Sequence, residues 1–321
     1  MTRLPASPTR SLLRRLSALW LGAHLLWVGT ANADWIGELT EAFTNSDISF
    51  QRSGSNVPFF PAAFADTTHY TDIELKADGK VIGSFDQTSV SLGGGIPYLL
   101  GSRDAVGAGL WLDWSHFDSK TSAFDSFEAY SVGLPFGWFR QVDEDTQVAA
   151  FAMPLAHETS LPSSSVSWEV MGGAGVREEV SESFWWAYGV FAEAGPGEDY
   201  LLPYLGASWA LSRKSTLSAV LPWPAVLYAP TPDTLFQFGA SPSGASWSLS
   251  SGRDEVFYEL GHWDLGIAAE TRLTGNLWLA FKGGVAGLRS LRLSGERVEG
   301  PKFELNSGPY LGLSLNFRPS L

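Results

Sequence analysis

Hydrophobic alternation at a period of two, sustained over runs longer than a soluble strand needs, narrows this chain's options most. In "SSVSWEVMGGAGVR", Val166, Trp168, Val170, Ala174 and Val176 share one face, and Ser165, Ser167, Glu169, Met171 and Arg177 the other. "FELNSGPYLGLSLNF" sets Phe303, Leu305, Leu311, Leu313, Leu315 and Phe317 against Glu304, Asn306, Tyr310, Ser314 and Asn316. Successive strand side chains point to opposite faces, so each run offers one apolar and one polar face. The runs extend over about 10 to 16 residues, against a mode of about 5 or 6 in globular proteins. A tilted strand crosses a bilayer in about 9–11 residues.

A sheet that crosses lipid must close on itself, because lipid offers nothing to an unpaired edge. Tight polar turns at "VDEDT", "REEVSES", "SRKS" and "TGN" alternate with the longer or Pro/Gly-rich "SKTSAFDS", "TSLPSSS", "GPGED" and "YAPTPDT". Short turns at one end and longer loops at the other are the layout of an all-β, antiparallel, up-and-down transmembrane barrel. The spacing predicts about 12 strands, with roughly 10 to 14 compatible and even numbers favoured. "TLSAVLPWPAVLY" reads as one strand with Leu217, Ala219, Leu221, Trp223, Ala225 and Leu227 on one face. Residues 34–80 form an irregular N-terminal part, expected to hold a periplasmic segment, one strand and a long first loop; 233–256 suit two short strands. Pro135, Pro154, Pro203, Pro222, Pro224 and Pro309 fall within predicted strands, and proline cannot donate to a ladder, so bulges or interrupted pairing are expected.

Charge placement agrees with a lipid-facing exterior. Charged residues make up 17% of the chain, below the roughly 25% of soluble domains. A Lys or Arg on the lipid face costs about 2–4 kcal/mol at midplane, so such groups belong inside or near strand ends. Lys282 lies opposite Leu277, Leu279, Phe281 and Val285; Arg289 breaks the pattern and is expected at the membrane interface. Trp111, Trp114, Trp138, Trp185, Trp186, Trp209, Trp223 and Trp278 fall mostly toward strand ends, as aromatic girdles do. A secreted soluble β-sandwich of the lectin or glycosidase kind is the alternative. It needs a second apolar face, and the opposite faces here are Ser, Gly, Glu and Asn.

The N-terminus carries Arg3, Arg10, Arg14 and Arg15 before the apolar "SALWLGAHLLWVGT" and the small residues "ANA". That order predicts a signal peptide over residues 1–33, cleaved before Asp34, with 34–321 as one outer-membrane barrel domain. A retained anchor is the alternative, and the apolar core is short for a span of about 20 residues. Losing those four arginines takes the formal charge from −13 to −17. An acidic chain of this kind is unsuited to nucleic acid, which needs clustered Lys and Arg. The absence of cysteine excludes a lipoprotein attachment site and disulfides. The expected partners are outer-membrane lipids and the barrel-assembly machinery; the sequence leaves the oligomeric state open.

The stretch from Leu201 to Leu249 resembles a family of bacterial outer-membrane β-barrel proteins known only as a domain of unknown function. Leu202-Pro203 before Gly206 and Trp209, then Leu221-Pro222 running to Leu227-Tyr228, then Phe238-Gly239, Pro242, Gly244 and Trp247 carry the resemblance. It covers about 50 residues in detail and implies a fold and a location but no activity. The chain departs from outer-membrane barrels in ending "RPSL" after Phe317, where a terminal aromatic residue commonly signals to the assembly machinery.

The most pointed candidate for chemistry is "GHWDLGIAAETRL". His262, Asp264, Glu270 and Arg272 share its even face, against Trp263, Leu265, Ile267, Ala269, Thr271 and Leu273 on the odd one. Outer-membrane hydrolases pair a Ser with a His base and a third polar group. Ser115-His116 and His157-Glu158 are sequence neighbours on opposite strand faces, and His262 and Asp264 lie about 7 Å apart along a strand. No "GxSxG" elbow is present. The acidic "DEDT" lacks calcium-loop spacing, and "GGG" and "GPG" lack a strand-to-helix context for phosphate. No catalytic residue, cofactor or metal is therefore expected. His262, Asp264, Glu270, Arg272 and Lys282 read as lumen-facing polar residues, either plugging the barrel or lining a pore. The functional readings are a passive pore or transport-related barrel, a closed structural or binding barrel, and a lipid-modifying hydrolase. An open lumen in an acidic chain would favour cations or neutral solutes.

Overall fold

The computed structural model describes residues 38, 41–43, 45–48, 55–122, 125–196, 199–251, 254–294 and 303–319. The signal segment predicted over 1–33 lies outside them. The chain divides into two units, residues 1–45 with 321, and residues 46–320. In the first, residues 41–43 make a helical turn, with the Asn45 amide donating to the Glu41 carbonyl at 3.0 Å. The second is the barrel.

Strand β1 (Ala63–Ala77) pairs antiparallel with β2 (Lys80–Leu99), and β2 with β3 (Asp104–Ser119). Next come two pieces of one interrupted strand, β4 (Phe127–Gly133) and β5 (Phe136–Gln141), both paired with β3 and with β6 (Thr146–Thr159). After the two-residue β7 (Ser164–Ser165), β8 (Ser167–Ser181) pairs with β6 and with β9 (Phe184–Ala194). The ring continues through β10 (Tyr200–Ser212), β11 (Ser215–Ser218), β12 (Ala225–Thr231), β13 (Thr234–Ser251), β14 (Asp254–Thr274) and β15 (Leu277–Ser294). Finally β16 (Phe303–Leu305) and β17 (Gly308–Phe317) pair with both β15 and β1, which closes the sheet. With β7 set aside and β4/β5 and β16/β17 each taken as one stave, the 17 strands among the described residues make a ring of 14.

Fourteen staves exceed the expected count of about 12 because "TLSAVLPWPAVLY" is not one strand. The chain reverses at Val220–Pro224, across a cis Leu221–Pro222 bond, and splits into β11 and β12. Pro222 and Pro224 have no N–H to give a ladder, and the Trp223 amide between them donates instead to the Val220 carbonyl at 2.8 Å. "YAPTPDT" in turn ends β12 and turns tightly at 232–233, on the same rim as "VDEDT" and "TGN". Residues 233–256 hold one long strand, β13, rather than two short ones. The expected long first loop is instead a two-residue turn, Asp78-Gly79, whose φ angles of 51° and 73° are those of a hairpin turn needing φ > 0 at both positions. Of the prolines, Pro135 separates β4 from β5, while Pro154, Pro203 and Pro309 stay within strands β6, β10 and β17.

The outer surface is apolar and the inner one polar, the reverse of a soluble fold. On β17, Leu311 is 73% exposed while the alternate Tyr310, Ser314 and Asn316 are buried. Phe281 and Val285 of β15 and Leu265 and Ile267 of β14 extend the apolar exterior. Arg289 is not at that surface. A register shift between β14 and β15 at Gly261/Trp263 absorbs an extra residue at Leu288, whose φ of 49° marks the bulge. The bulge flips the side-chain parity, so Leu288 points out (83% exposed) and Arg289 is buried inside, 5.9 Å over the Tyr70 ring. Three of the predicted girdle tryptophans are corrected by the same alternation. Trp278 is fully buried, Trp185 lies inward under Arg177 at 5.0 Å, and Trp111 shares the inward face of β3 with Asp113 and Ser115.

The interior is divided. Over their lower halves β13 and β14 are ordinary wall, but at their joined tip both faces are buried. On one face Trp247 stacks against Tyr258 (5.6 Å, 3°) and meets Phe117 and Phe127 at 5.5 and 5.3 Å. On the other, Ser248 and Phe257 are also buried, Phe257 lying 6.2 Å from His157 of β6, and Ser248 is paired with Ser165 of β7. The tip thus runs through the barrel. Its first face joins Tyr70, Ile73, Phe85, Phe117, Leu260 and Tyr310 in one apolar cluster that fills the space toward β1–β4.

The rim bearing Ala63 and Phe317 is crossed by the segment preceding β1. Asp47 takes hydrogen bonds from Ser102 Oγ and Arg103 Nε, which hold its carboxyl below the usual carboxylate range, while Asn56 reaches the Arg213 and Ala229 carbonyls. At the opposite rim Lys120, just past β3, bridges Asp72 (2.9 Å) and Asp86 (2.8 Å). Its hydrogen bonds to Asp86 and Asp72 push the ammonium up to about 12. A raised folded-state value means that the ammonium's contribution is full below its ordinary value of 10.5 and is lost as pH climbs through about 12, while in acid the bridge lasts only as long as the two carboxylates stay ionised. The 120–122 turn should therefore show unchanged protease resistance from neutral pH to pH 10.

Candidate functional site

The five lumen-facing candidates do not form one cluster. His262 and Asp264 meet on β14, with Nε2 and Oδ1 3.4 Å apart because the two side chains lean toward each other across the 7 Å strand repeat. Tyr70 of β1 donates to Asp264 at 2.8 Å and its hydroxyl lies 3.2 Å from Ser243, so the pair is a buried plug and not an exposed catalytic dyad. Lys282 of β15 reaches across to Asp66 of β1 at 2.9 Å. Glu270 sits near the terminal rim, held by Asn316 (2.9 Å) and by both Nε and Nη2 of Arg318 (2.8 and 2.7 Å). Arg272 lies at that rim, half-exposed, 3.2 Å from Asp233 and over the Trp278 ring at 5.1 Å. Apart from His262–Asp264, these contacts join separate parts of the chain, and they were invisible in the sequence because each partner lies outside the strand that bears the candidate.

A second buried polar group was missed altogether. His157 of β6 lies 2.8 Å, through Nδ1, from Ser131 Oγ of β4, and its Nε2 is 3.7 Å from Glu169 Oε2 of β8. The sequence did exclude Glu158 as its partner, and Glu158 indeed registers on the other face, opposite Tyr130. Ser131, His157 and Glu169 have the residue types of a nucleophile, base and acid. Ser131 is 6% exposed and its hydroxyl is engaged by His157. Ser115 and His116 diverge as expected: Ser115 contacts Ser89 at 2.8 Å inside, and His116 stacks with Trp114 at 6.1 Å.

The feature of the barrel with most functional content is a break in its wall. Strands β11 and β12 reach only part of the barrel's height. Their last contacts with their neighbours are the Ala219 amide to the Ala207 carbonyl (2.8 Å) and the Ala240 amide to the Pro224 carbonyl (3.0 Å). Beyond these, among the described residues, no backbone pairing joins Tyr200–Gly206 of β10 to Ser241–Trp247 of β13. Pro203 and Pro242 lie on the two lips, and each removes a donor that would otherwise stand unpaired. Val220 closes the lower margin against Gly206, where an added Cβ would meet it at 3.0 Å. At the upper margin the Ser294 hydroxyl of β15 donates to Pro196 at the β9/β10 tip (3.1 Å).

Behind this window lies a chamber between the divided interior and the inward faces of β6, β8, β9 and β10. Cross-strand register places Phe151, Gly173, Phe191 and Leu202 in one inward row, and Gly175, Gly189 and Tyr204 in the next. The Phe151 ring lies over Gly173, where an added Cβ would meet it at 3.0 Å, and stands 6.2 Å from the Phe191 ring. Phe151 (45%) and Leu202 (52%) face inward and are still exposed. Toward the terminal rim the chamber ends on Arg177, which donates to Gln147 at 2.9 Å. Toward the opposite rim it ends on Glu169, Glu193, Tyr200 and Glu259.

No family model matches the chain, and the resemblance of the Leu201–Leu249 stretch to a domain of unknown function finds no support there. No curated protein matches it either. Among solved structures, the chain is similar to an outer membrane channel from Pseudomonas putida F1, with 13% identity, a TM-score of 0.46, and coverage of 81% of this chain and 97% of that one. It is similar also to a Pseudomonas aeruginosa FadL homologue, with 11% identity, a TM-score of 0.38, and 82% and 94% coverage. The translocator domain of the Neisseria meningitidis autotransporter NalP gives 11% identity, a TM-score of 0.29, and 90% and 98% coverage. The assignment of a closed antiparallel barrel stands on the strand register.

Proposed function

We propose that this chain is an outer-membrane barrel with a transport-related, non-enzymatic role. In this reading it admits small, largely apolar solutes from the membrane side through the window between β10 and β13, and passes them down the chamber toward the terminal rim. The continuous apolar exterior on a closed sheet supports a lipid surround, since only closure satisfies every backbone group there. With both strand ends at the terminal rim, that rim faces the periplasm and the 120–122 side faces outward. The observation that carries the reading is the unpaired stretch of wall leading to inward-facing but exposed Phe151 and Leu202. The tip of β13/β14 and its apolar cluster argue against a straight water-filled pore.

The test separates solute uptake from ion flow. In a planar bilayer the folded wild-type protein should show little steady conductance, while liposomes containing it take up an apolar aromatic dye faster than empty ones. Leu202→Trp, which fills the chamber beside the window, should slow uptake roughly tenfold, equivalent to about 1.4 kcal/mol of barrier, and leave conductance as it was. Uptake no faster than in empty liposomes, in a barrel whose folding is confirmed by heat-modifiable gel mobility, would leave only a closed structural barrel.

A further inference from the structure

We propose that the outward end of the chamber is an ammonium-binding subsite, so that the preferred solutes are small amphipathic amines; this rests on the chamber reading above. Glu169 is 7% exposed and lies within electrostatic range of both Glu193 and Glu259. Arg292 is the cation acting on Glu193. Three carboxylates, Glu169 buried and Glu193 and Glu259 half-buried, thus face one guanidinium, with Tyr200 donating to Glu193, and charges removed from water need counter-charge.

Independent of this charge imbalance, three buried polar side-chain atoms at the same end have no hydrogen-bond partner among the described residues. They are His157 Nε2, Ser167 Oγ and Ser248 Oγ, on residues 5%, 4% and 0% exposed. They belong together. His157 Nε2 is 3.7 Å from Glu169, Ser167 is the cross-strand partner of His157, and Ser248 pairs with Ser165, two residues from Ser167. Buried polar groups of this kind normally find partners. An ammonium offers three donors and no acceptor. Hydroxyl and carboxylate oxygens suit it, and its charge offsets the surplus negative one. The apolar part of such a solute fits against Phe191 and Leu202. A carboxylate head would add like charge where charge is already in excess, so the same geometry excludes it.

The test uses three probes of similar size, 2-phenylethylamine, 2-phenylethanol and 3-phenylpropionate, titrated by calorimetry into the detergent-folded barrel. The amine is expected to bind at least about tenfold tighter than the alcohol, as one desolvated charge pair allows, and the acid weaker than both. Glu169→Gln and Glu259→Gln should each cut the amine's advantage by roughly tenfold. Two variants are used so that loss of folding in one does not decide the matter. Equal binding of acid and amine, or an amine affinity unchanged in both folded variants, overturns the subsite. If all three probes bind alike and Leu202→Trp weakens them together, the subsite falls and the chamber stands. If none binds, both fall.

Discussion

Glu270→Ala is expected to lower the unfolding free energy of the barrel by about 3–5 kcal/mol, the range for stripping one partner from a buried ion pair. Glu270 accepts two hydrogen bonds from Arg318 and one from Asn316, and Glu270 and Arg318 side chains are 7% and 12% exposed. Without the carboxylate, Arg318 keeps its charge, its place beside Trp278 at 5.9 Å and its bond to the Phe59 carbonyl, with nothing to balance it. The same loss uncouples the segment before β1 from β14, because Arg318 bridges the two. Urea unfolding in lipid, followed by tryptophan fluorescence, measures the change. A loss below about 1 kcal/mol would make Glu270 an ordinary solvated rim carboxylate.

Trp247→Ala should cost about 3–5 kcal/mol, as large aromatic truncations in packed cores do, and it should also change permeability. Trp247 joins the β13/β14 tip to Phe117 and Phe127 on the opposite wall. Removing its ring leaves that tip without its main apolar anchor. Steady stepwise conductance is then expected in planar bilayers where the wild type is nearly silent. A destabilised variant that remains silent would mean that the Tyr70–Asp264 and Lys282–Asp66 contacts seal the lumen without help from the tip.

Much of this was legible in one dimension. The period-two pattern of β14 alone sorts His262, Asp264 and Glu270 from Leu265 and Ile267, because strand alternation is a local property. The barrel class followed from the length and polarity of such runs. What failed was whatever alternation does not encode. "LPWP" carries the correct apolar spacing for a strand, and only the lack of donors at two prolines breaks it. The Leu288 bulge reads as strand because leucine does not announce a positive φ as glycine does. The side window follows from the shortness of β11 and β12, which the misread reversal hid. Ser131, His157 and Glu169 lie on three strands, and their meeting depends on register, which no single stretch specifies.

The closure of the ring by β1 against β17 has a kinetic side. Ala63 sits opposite Phe317 and Tyr70 opposite Tyr310, so the first strand waits for the last before its outer edge is satisfied. Contacts between the two ends of a chain carry a large loop-closure cost and form slowly. Until they form, the sheet shows an unpaired edge together with the apolar surface of Leu311, Phe281 and Ile267. Such an intermediate aggregates readily in water. The yield of folded barrel should therefore depend less on its final stability than on whether a lipid surface is present while the last strand is still arriving.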